Sequence, residues 1–257
     1  MEPARGVRDA MKVSVIIPVY NEFRSFDEVL ERVRRAHLPE SCTKEIIVVD
    51  DGSTDGTAAR VRDYRLQGVV VGHESILNFG KGTAVRVGIR LASGDIILIQ
   101  DGDLEYDPND YARIIAPIVR GEAEIVYGSR FLGHPKGMAF RNLIANRILT
   151  TAANLLYGAR LTDEATAYKA FRATVLDRIT LRCRGFDFCP EVTAKVRRLG
   201  YTIHEVPISY NARGIGEGKK IRARHGFEAL WTLLKYRFTP RKKFLTAPKV
   251  LARCGSC

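Results

Sequence analysis

The sequence contains little that would mark a secreted, disulfide-rich or membrane-spanning protein. Its 257 residues include five cysteines and one tryptophan. Five cysteines are few and odd in number, which is typical of a reducing compartment rather than of a disulfide scaffold. No stretch approaches the roughly 20 apolar residues that a membrane span requires, and the N-terminal region lacks the apolar core of a signal peptide. We therefore expect a cytoplasmic chain without transmembrane helices.

Two glycine motifs that bind nucleotides are also missing. A dinucleotide-binding domain carries GxGxxG directly after its first strand, but the first apolar run continues here as Pro18-Val19-Tyr20-Asn21-Glu22. Gly80-Lys81-Gly82-Thr83 is similar to the end of a phosphate-binding loop. The upstream glycine of GxxxxGK[ST] is absent, however, at both Ser75 and Ile76. Neither nucleotide-binding motif is therefore predicted.

Acidic and basic residues are unevenly distributed along the chain, whose net charge is +12. Residues 1–110 contain 14 basic and 19 acidic side chains, whereas residues 111–257 contain 27 basic and 10 acidic ones. An acidic half that can hold a cation and a basic half that can hold an anion predict a site for two substrates. A basic nucleic-acid-binding protein is the alternative from another class, but the aromatic and basic strand motif of RNA-binding domains is absent, so no nucleic-acid partner is expected.

The first half of the chain alternates apolar runs with helical patterns. The runs predict buried strands of a mostly parallel sheet at Val13–Val19, Glu45–Val49, Gly68–Val71, Asp95–Ile99 and Glu124–Tyr127. Amphipathic spacing predicts helices over Ser25–Ala36, Thr54–Leu66, Lys81–Leu91 and Pro108–Val119. This alternation predicts a Rossmann-like, doubly wound α/β fold with helices on both faces of the sheet. Ligands of such folds bind at the carboxyl ends of the strands.

The second half is less regular. Helical patterns cover Phe140–Tyr157, the apolar stripe from Phe188 to Leu199 and the stripe from Phe227 to Phe238, and Thr202–Tyr210 is predicted as a strand. We expect an N-terminal extension over residues 1–11, a single domain over residues 12–238 and a basic C-terminal tail over residues 239–257.

Acidic turns follow the second and fourth predicted strands. The first of them reads Asp50-Asp51-Gly52-Ser53-Thr54-Asp55, and the second reads Asp101-Gly102-Asp103-Leu104-Glu105. Like charges at a strand end repel one another unless a cation joins them, and a divalent metal with a nucleotide diphosphate would do so. We therefore predict that Asp101, Asp103 and Glu105 bind a metal, whereas Asp55 and Asp107 are interpreted as helix caps.

Six segments carry a resemblance to a known family: Val13–Glu22, Val48–Thr57, Asn78–Gly82, Gln100–Asp103, Tyr127–Phe131 and Tyr168–Arg172. Together they resemble the family 2 glycosyltransferases of GT-A fold, and within these the dolichyl- or polyprenyl-phosphate mannosyl- or glucosyltransferases. The resemblance extends from about residue 12 to about residue 238. It implies a single GT-A domain with a nucleotide-sugar and metal half over residues 12–128 and an acceptor half over residues 129–238.

The resemblance implies a role for each matching residue. The implied donor-binding residues are Pro18, Tyr20, Glu22, Asp51, Lys81, Asp101 and Gly102. Mg²⁺ or Mn²⁺ is the implied cofactor, with Asp101, Asp103 and Glu105 as its ligands. The acceptor phosphate is expected at Arg130, Arg141, Arg147, Arg213 and Lys219. The implied catalytic residues are Asp103, Arg130 and Asp163.

The acceptor decides the chemistry that the resemblance implies. A phosphate oxygen is already anionic and attacks the anomeric carbon without a general base, so the protein mainly orients the reactants and neutralises the leaving diphosphate. The expected reaction is then the inverting, metal-dependent transfer of a hexose from GDP-mannose, UDP-glucose or UDP-GlcNAc to polyprenyl phosphate. A soluble acceptor bearing a hydroxyl or a phosphate is the alternative. A hydroxyl would need a carboxylate to take its proton, and Asp163-Glu164 lies where other family 2 enzymes place such a base.

Many members of this subgroup continue into transmembrane helices, which the sequence does not contain. The stripe from Phe227 to Phe238 is followed by Arg241-Lys242-Lys243. One interpretation is peripheral contact with an anionic membrane at its cytoplasmic face. The other, given equal weight, is a helix that faces the core and precedes a basic tail.

Overall fold

The computed structural model describes residues 10–133, 135–212 and 223–246, and at its centre lies a seven-stranded sheet. The strands are β1 (Met11–Val19), β2 (Cys42–Asp50), β3 (Val71–Glu74), β4 (Ile96–Ile99), β5 (Ile125–Ser129), β6 (Lys169–Arg172) and β7 (His204–Pro207). Their order across the sheet is β3-β2-β1-β4-β6-β5-β7. All neighbours pair in parallel except β6, which is antiparallel to both β4 and β5. The expected mostly parallel sheet is confirmed.

Helices cover both faces of this sheet. They are α1 (Phe26–Arg35), α2 (Thr57–Leu66), α3 (Lys81–Leu91), α4 (Tyr111–Val119), α5 (Phe140–Tyr157), α6 (Ala173–Asp177), α7 (Phe188–Arg198) and α8 (Ala223–Phe238), with 3₁₀ turns at Pro108–Asp110 and Arg241–Lys243. Successive strand side chains point to opposite faces. Val15 and Ile17 of β1 accordingly join one buried apolar cluster, whereas Ile16 joins another. The doubly wound α/β architecture is therefore confirmed.

Strand β6 is the one major element of the sheet that the apolar pattern does not predict. It is four residues long and begins with Lys169, a charged residue that is fully buried. Its register pairs Lys169 with Ile99 of β4 and with Tyr127 of β5. Because β6 runs antiparallel to these neighbours, its first residue lies where they end. The segment before β6 is thereby brought to the ligand-binding edge of the sheet.

Two other strand predictions differ from the structure in their bounds. The strand expected at Gly68–Val71 begins only at Val71. Gly68 has a φ of +70° and belongs to the turn that ends α2, where its N–H donates to the carbonyl of Arg65. The strand expected over Thr202–Tyr210 is limited to His204–Pro207.

The chain packs against the domain beyond residue 238, where the basic tail was predicted to begin. Phe244 is 1% exposed and lies in a cluster with Leu149 of α5 and Leu233 of α8. Its carbonyl accepts from the N–H of Thr180 at 2.9 Å. The chain therefore remains part of the domain to at least residue 246, while most of the predicted N-terminal extension and residues 247–257 lie outside the described residues. Among the helices of the described ranges, none has the length and hydropathy needed to cross a membrane.

Candidate active site

The loops that follow β1, β2 and β4 meet at the carboxyl edge of the sheet. The N–H of Asp51 donates to the carbonyl of Val19 at 2.9 Å. Gly102 packs so closely against the end of β1 that a Cβ atom there would lie 2.8 Å from Cγ1 of Val19 and 3.0 Å from the carbonyl oxygen of Pro18. A side chain at position 102 would therefore push these loops apart. The segments predicted to bind the donor form one contiguous surface.

Asp51 holds the loop that precedes α3. Its carboxylate accepts from the N–H of Phe79 at 2.9 Å and from that of Gly80 at 2.7 Å. Gly80 has a φ of +94°, and a Cβ atom there would collide with the carbonyl oxygen of Arg184. Burial raises the pKa of Asp51 above its ordinary value, although the two N–H donors act in the opposite direction. The side chain expected to contact the donor base thus also fixes the loop leading to Lys81.

Lys81 forms an ion pair with Asp101, the first acid of the Asp-x-Asp motif. Burial lowers the pKa of Lys81, but the nearby carboxylates of Asp101 and Asp103 outweigh that effect and raise it. Lys81 is therefore a cation that faces the acidic loop after β4. A positive charge at this position favours a ligand that brings further negative charge, such as a diphosphate.

A buried glutamine, Gln100, holds the Asp-x-Asp loop by a hydrogen bond to its backbone. Gln100 is fully buried, and its Oε1 accepts from the hydroxyl groups of Tyr111 at 2.6 Å and Tyr168 at 2.7 Å. Its amide nitrogen donates to the carbonyl of Asp101 at 2.8 Å. Tyr111 is the first residue of α4, and Tyr168 directly precedes β6. Gln100 thus connects the Asp-x-Asp loop to both of these elements through hydrogen bonds.

The three predicted metal ligands do not converge. Asp101 is paired with Lys81, Asp103 Oδ1 accepts from the N–H of Glu105 at 3.1 Å, and Glu105 Oε2 accepts from the hydroxyl of Tyr210 at 2.9 Å. Within the ranges that the structure describes, no three His, Cys, Asp or Glu side chains are grouped so that they could hold a metal ion. The donor atoms are oxygens, which suit Mg²⁺ or Mn²⁺, but the expected three-carboxylate site is not assembled by these residues alone.

Arg130 and Asp163 form a buried bidentate ion pair. Nε and Nη2 of Arg130 donate to the two carboxylate oxygens of Asp163 at 2.6 and 2.7 Å, and the backbone N–H of Arg130 adds a third bond at 3.0 Å. The side chains are 7% and 0% exposed. Glu205 of β7 fixes this segment, because its carboxylate accepts from the N–H groups of Thr162 and Asp163. In this structure the Asp163 carboxylate is therefore paired with the Arg130 guanidinium.

Glu164 lies next to this pair in a different environment. It is fully buried, and within the described part of the chain no hydrogen bond of regular geometry reaches either carboxylate oxygen. Burial raises its pKa to about 7, although the charge of Lys169 opposes the shift. Lys169 is also fully buried, donates to the carbonyl of Glu164 at 2.7 Å and lies over the ring of Tyr127. The motif preceding β6 thus places a second, titratable acid behind the edge of the sheet.

A family model for glycosyl transferase family 2 matches residues 14–180, a range that begins within β1 and ends after β6. The chain belongs to glycosyl transferase family 2. It is accordingly a glycosyltransferase, and the acidic and basic groups at the carboxyl edge of its sheet form its candidate active site.

Curated relatives and solved structures agree with this assignment. The chain is 30% identical over 95% of its length to dodecaprenyl-phosphate galacturonate synthase of Rhizobium johnstonii, covering 72% of that protein. It is 34% identical over 81% of its length to undecaprenyl-phosphate mannosyltransferase of Micrococcus luteus, covering 87% of that protein. Among solved structures it resembles glucosyl-3-phosphoglycerate synthase of Mycobacterium tuberculosis, at 21% identity and a TM-score of 0.67, covering 90% of this chain and 81% of that one. The last likeness supports the GT-A fold.

The remaining predicted residues of this glycosyltransferase lie at two places. Tyr20 and Glu22 follow β1, where Glu22 Oε2 accepts from the hydroxyl of Ser25 at 3.0 Å. Arg141 and Arg147 are exposed on α5. The guanidinium carbons of Arg147 and Arg130 lie 5.7 and 5.8 Å from the centre of the Phe131 ring, so one ring links Arg147 to the buried pair. Arg213 and Lys219 lie outside the described residues.

The two predicted helix caps are confirmed. Asp55 Oδ1 accepts from the N–H of Thr57, the first residue of α2, at 3.1 Å. Asp107 Oδ1 accepts from the N–H of Asn109 at 3.0 Å and caps the 3₁₀ turn before α4.

Three functional features of the glycosyltransferase were missed by sequence reasoning. These are the support of the Asp-x-Asp loop by Gln100, the anchoring of Asp163 by Glu205, and the buried Glu164–Lys169 contact. Gln100 and Lys169 stand inside the motifs that carry the family resemblance, which was the available signal. Glu205 has none, because it comes from a strand that is distant in sequence and adjacent only in the folded sheet.

Proposed function

We propose that this glycosyltransferase transfers a hexose, with inversion, from a nucleotide sugar to polyprenyl phosphate and uses a divalent cation. The names of the two curated relatives above each contain a polyprenyl phosphate. Between them they name two sugars, galacturonate and mannose, so the donor sugar is the part of the proposal that most needs measurement.

The observation that carries the phosphate acceptor is the pairing of Asp163. Arg130 donates three hydrogen bonds to the Asp163 carboxylate, and the side chain of Asp163 is fully buried. A hydroxyl acceptor would require a carboxylate within hydrogen-bond reach to take its proton. A phosphate oxygen is ionised already and requires none. Asp163 and Arg130 then act as positioning residues that shape the edge of the site.

Glu164 is the other acid that an acceptor hydroxyl would need. Its pKa of about 7 suits a general base, but its side chain is fully buried. An acceptor would reach it only after rearrangement of the segment between Arg130 and β6. The phosphate acceptor requires no such change and is therefore preferred.

On the donor side, Pro18, Tyr20, Glu22, Asp51 and Gly102 would surround the nucleoside, and Lys81 would lie beside the diphosphate. A structure of the mycobacterial synthase holds Mn²⁺ and UDP. Here Asp101 and Asp103 would hold the cation together with diphosphate oxygens, since the described acidic side chains do not complete a site by themselves. The cation would neutralise charge on the leaving diphosphate.

On the acceptor side, the exposed guanidinium groups of Arg141 and Arg147 would bind the acceptor phosphate, with Arg213 and Lys219 contributing from outside the described residues. Arg147 is the better supported of the first two, because it shares the Phe131 ring with Arg130. Its replacement is expected to weaken acceptor binding more than donor binding.

The test is a transfer assay with labelled nucleotide sugars, Mn²⁺ or Mg²⁺ and a short polyprenyl phosphate, followed by counting of the label in the organic phase. Label is expected from one donor only. Arg147→Ala should raise the KM for the acceptor, whereas Arg90→Ala, which changes an exposed arginine of α3 away from the site, should leave it unchanged. Label recovered only on a water-soluble acceptor such as phosphoglycerate would overturn the lipid phosphate as the acceptor. The assignment as a glycosyltransferase would be unaffected.

A further inference from the structure

Helices α5 and α8 expose an unusual amount of apolar surface. The side chains concerned are Phe140, Ile144, Ile148 and Leu155 of α5 and Phe227, Trp231, Leu234 and Phe238 of α8, which are between 41% and 82% exposed. We call these eight side chains the α5–α8 apolar face. The two helices pack against each other through other residues, including Leu149 and Ala153 of α5 and Ala229 and Leu233 of α8. The exposed apolar side chains are therefore additional to those that stabilise the helix pair.

The apolar face forms one stripe on each helix. At 3.6 residues per turn, the exposed apolar positions span an arc of roughly 80° on α5 and roughly 60° on α8, on the side away from the buried positions. Basic side chains border the stripes, namely Arg141 and Arg147 on α5 and Arg224, Lys235 and Arg237 on α8. A stripe of large apolar residues bordered by basic ones is typical of helices that lie in the interface of an anionic membrane. Helix α8 thus faces the core through Ala229 and Leu233, whereas four side chains of its predicted stripe are exposed, namely Phe227, Trp231, Leu234 and Phe238.

A pocket with four arginines opens where α5, α7 and α8 end. It has a volume of about 430 Å³, and its lining consists of Leu155, Leu156, Tyr157, Gly158, Arg197, Arg198, Arg237 and Arg241. Leu155 belongs both to this lining and to the apolar face, and Arg237 directly precedes Phe238 of that face. The arginine pocket and the apolar face are thus continuous.

Two of the four arginines are held in place by backbone carbonyls. Arg197 donates to the carbonyls of Tyr201 at 2.7 Å and Gly158 at 2.8 Å, and its Nε has no hydrogen-bond partner among the described residues. Arg198 donates to the carbonyl of Tyr236 at 2.6 Å. Burial, together with the charges of Arg241 and Arg237, lowers the pKa of Arg198. Two guanidinium groups are thus fixed against helix ends, where carbonyl dipoles favour cations.

The other two, Arg237 and Arg241, are exposed at the pocket. Within the described part of the chain, none of the four guanidinium groups is in an ion pair, and no acidic side chain lines the pocket. Four positive groups around one space repel one another and would be stabilised by a bound anion. Guanidinium groups bind phosphate oxygens in pairs of parallel hydrogen bonds. The lining therefore fits an oxyanion such as a phosphate group.

We propose that the arginine pocket binds the phosphate of an anionic phospholipid while the α5–α8 apolar face inserts into the same bilayer. The apolar face requires an apolar partner, the pocket requires an anion, and a bilayer of anionic lipid supplies both at one surface. A second copy of the chain is the poorer occupant, because a symmetric contact through this face would bring like-charged arginines together. The proposal deepens the proposed function, since a polyprenyl phosphate acceptor is itself held in a bilayer.

Trp231 makes the test direct, because it is the only tryptophan of the chain and belongs to the apolar face. The full chain is mixed with vesicles of pure phosphatidylcholine, or of equal parts phosphatidylcholine and phosphatidylglycerol. We expect a blue shift of tryptophan emission, quenching by brominated acyl chains and cosedimentation, all with the anionic vesicles. An unchanged emission with anionic vesicles, or equal binding to both kinds, would overturn the proposal.

Matched variants separate the two parts of the surface while keeping the tryptophan. Leu155→Ser is expected to weaken vesicle binding, whereas Leu66→Ser, at a leucine of similar exposure on α2, should have no effect. The double variant Arg237→Ala and Arg241→Ala should weaken binding to anionic vesicles about twenty-five-fold, at about five-fold for each basic side chain. Arg90→Ala is its control. Equal losses in the variants and their controls would contradict a defined surface.

Two further measurements distinguish other occupants and keep the proposed function separate. Inorganic phosphate could stabilise the chain through Arg237 and Arg241 while the chain does not bind vesicles. That result would assign the pocket to a soluble phosphate and overturn the proposed binding to a bilayer. Dimerisation that buries Trp231 in solution would assign the face to a second copy and also overturn it. Transfer to a water-soluble, short-chain polyprenyl phosphate needs no vesicle, so the double variant should retain it. If the unmodified chain transferred no sugar to the short-chain polyprenyl phosphate, the proposed acceptor would be refuted instead.

Discussion

At the scale of single residues, the buried pair of Arg130 and Asp163 has a large expected effect on stability. Asp163→Asn leaves the guanidinium of Arg130 buried without a counter-charge, which is expected to lower the free energy of unfolding by about 3 kcal/mol. Urea unfolding measures this change. The matched control is Glu122→Gln, which breaks an exposed pair with Arg120 and should leave the stability unchanged. A similar stability for Asp163→Asn and the unmodified chain would mean that the pair opens readily and that Asp163 is accessible to an acceptor.

Glu164 gives a prediction about pH. Because burial raises its pKa in the folded chain from 4.5 to about 7, ionisation is easier after unfolding, and the unmodified chain loses stability as the pH rises through that interval. Glu164→Gln removes the ionisation. Its stability relative to the unmodified chain should therefore increase by about 2 kcal/mol between pH 5 and pH 8.

Urea unfolding of both proteins at the two pH values provides the measurement, and the other titrating groups cancel in the difference. A relative stability that does not change with pH would show that the Glu164 carboxyl is hydrated or paired in solution. Transfer activity gives a second readout. Loss of kcat in Glu164→Gln at unchanged stability would favour a hydroxyl acceptor with Glu164 as its base.

At the scale of elements, the segment that follows α8 is a structural part of the domain. Phe244→Ala empties a position in the cluster that joins α5 and α8, and the expected cost is about 3 kcal/mol. The control is Leu245→Ala, at the next residue. The Leu245 side chain is 45% exposed, so its truncation should change the stability by about 0.5 kcal/mol or less. Truncation after Phe238 should destabilise the chain at least as strongly as Phe244→Ala. If the truncated and full chains were equally stable, the segment from residue 239 onward would contribute nothing to the stability of the domain, as expected of a tail.

The elements also show where local patterns suffice. Helices α3 and α5 begin and end where their patterns predict, because their buried faces follow the 3.6-residue period. Strand β6 could not be found in this way, since four residues that start with a buried lysine have no apolar alternation to detect. Lys169 is tolerated there because it donates to the carbonyl of Glu164 and lies over the Tyr127 ring. The Glu164 carbonyl comes from the loop before β6, and the Tyr127 ring comes from β5.

At the scale of the whole molecule, metal and nucleotide are expected to bind together. The described acidic side chains do not form a metal site by themselves, so Mn²⁺ alone should leave the melting temperature unchanged. UDP or GDP supplied with Mn²⁺ should raise it by a few degrees, because a ligand that binds only the folded state stabilises it. Asp103→Asn should abolish that joint effect. A shift with Mn²⁺ alone that Asp103→Asn removes would show that the carboxylates assemble without a nucleotide.

The sequence by itself determined the doubly wound fold, the acidic loops after β2 and β4 and the family, because these depend on periodicity and on motifs that are contiguous in the chain. Its separation into an acidic and a basic half was likewise visible in composition. It also identified Asp55 and Asp107 as caps, since a cap bonds to backbone only two residues away. Such features are local, and no distant contact is needed to recognise them.

Only the tertiary structure decided how the charged groups of the site are used. Arg130 was expected at a phosphate and Asp163 as a catalytic residue at the position of a base, and the structure pairs them with each other across 33 residues. Glu105 was expected at a metal and accepts from Tyr210 instead. The same holds for the apolar stripe of α8, whose sequence fits a buried helix and an exposed one equally well. Whether a charge is paired or an apolar side chain is covered depends on which segments the fold brings beside it, and that information is not contained in the local pattern.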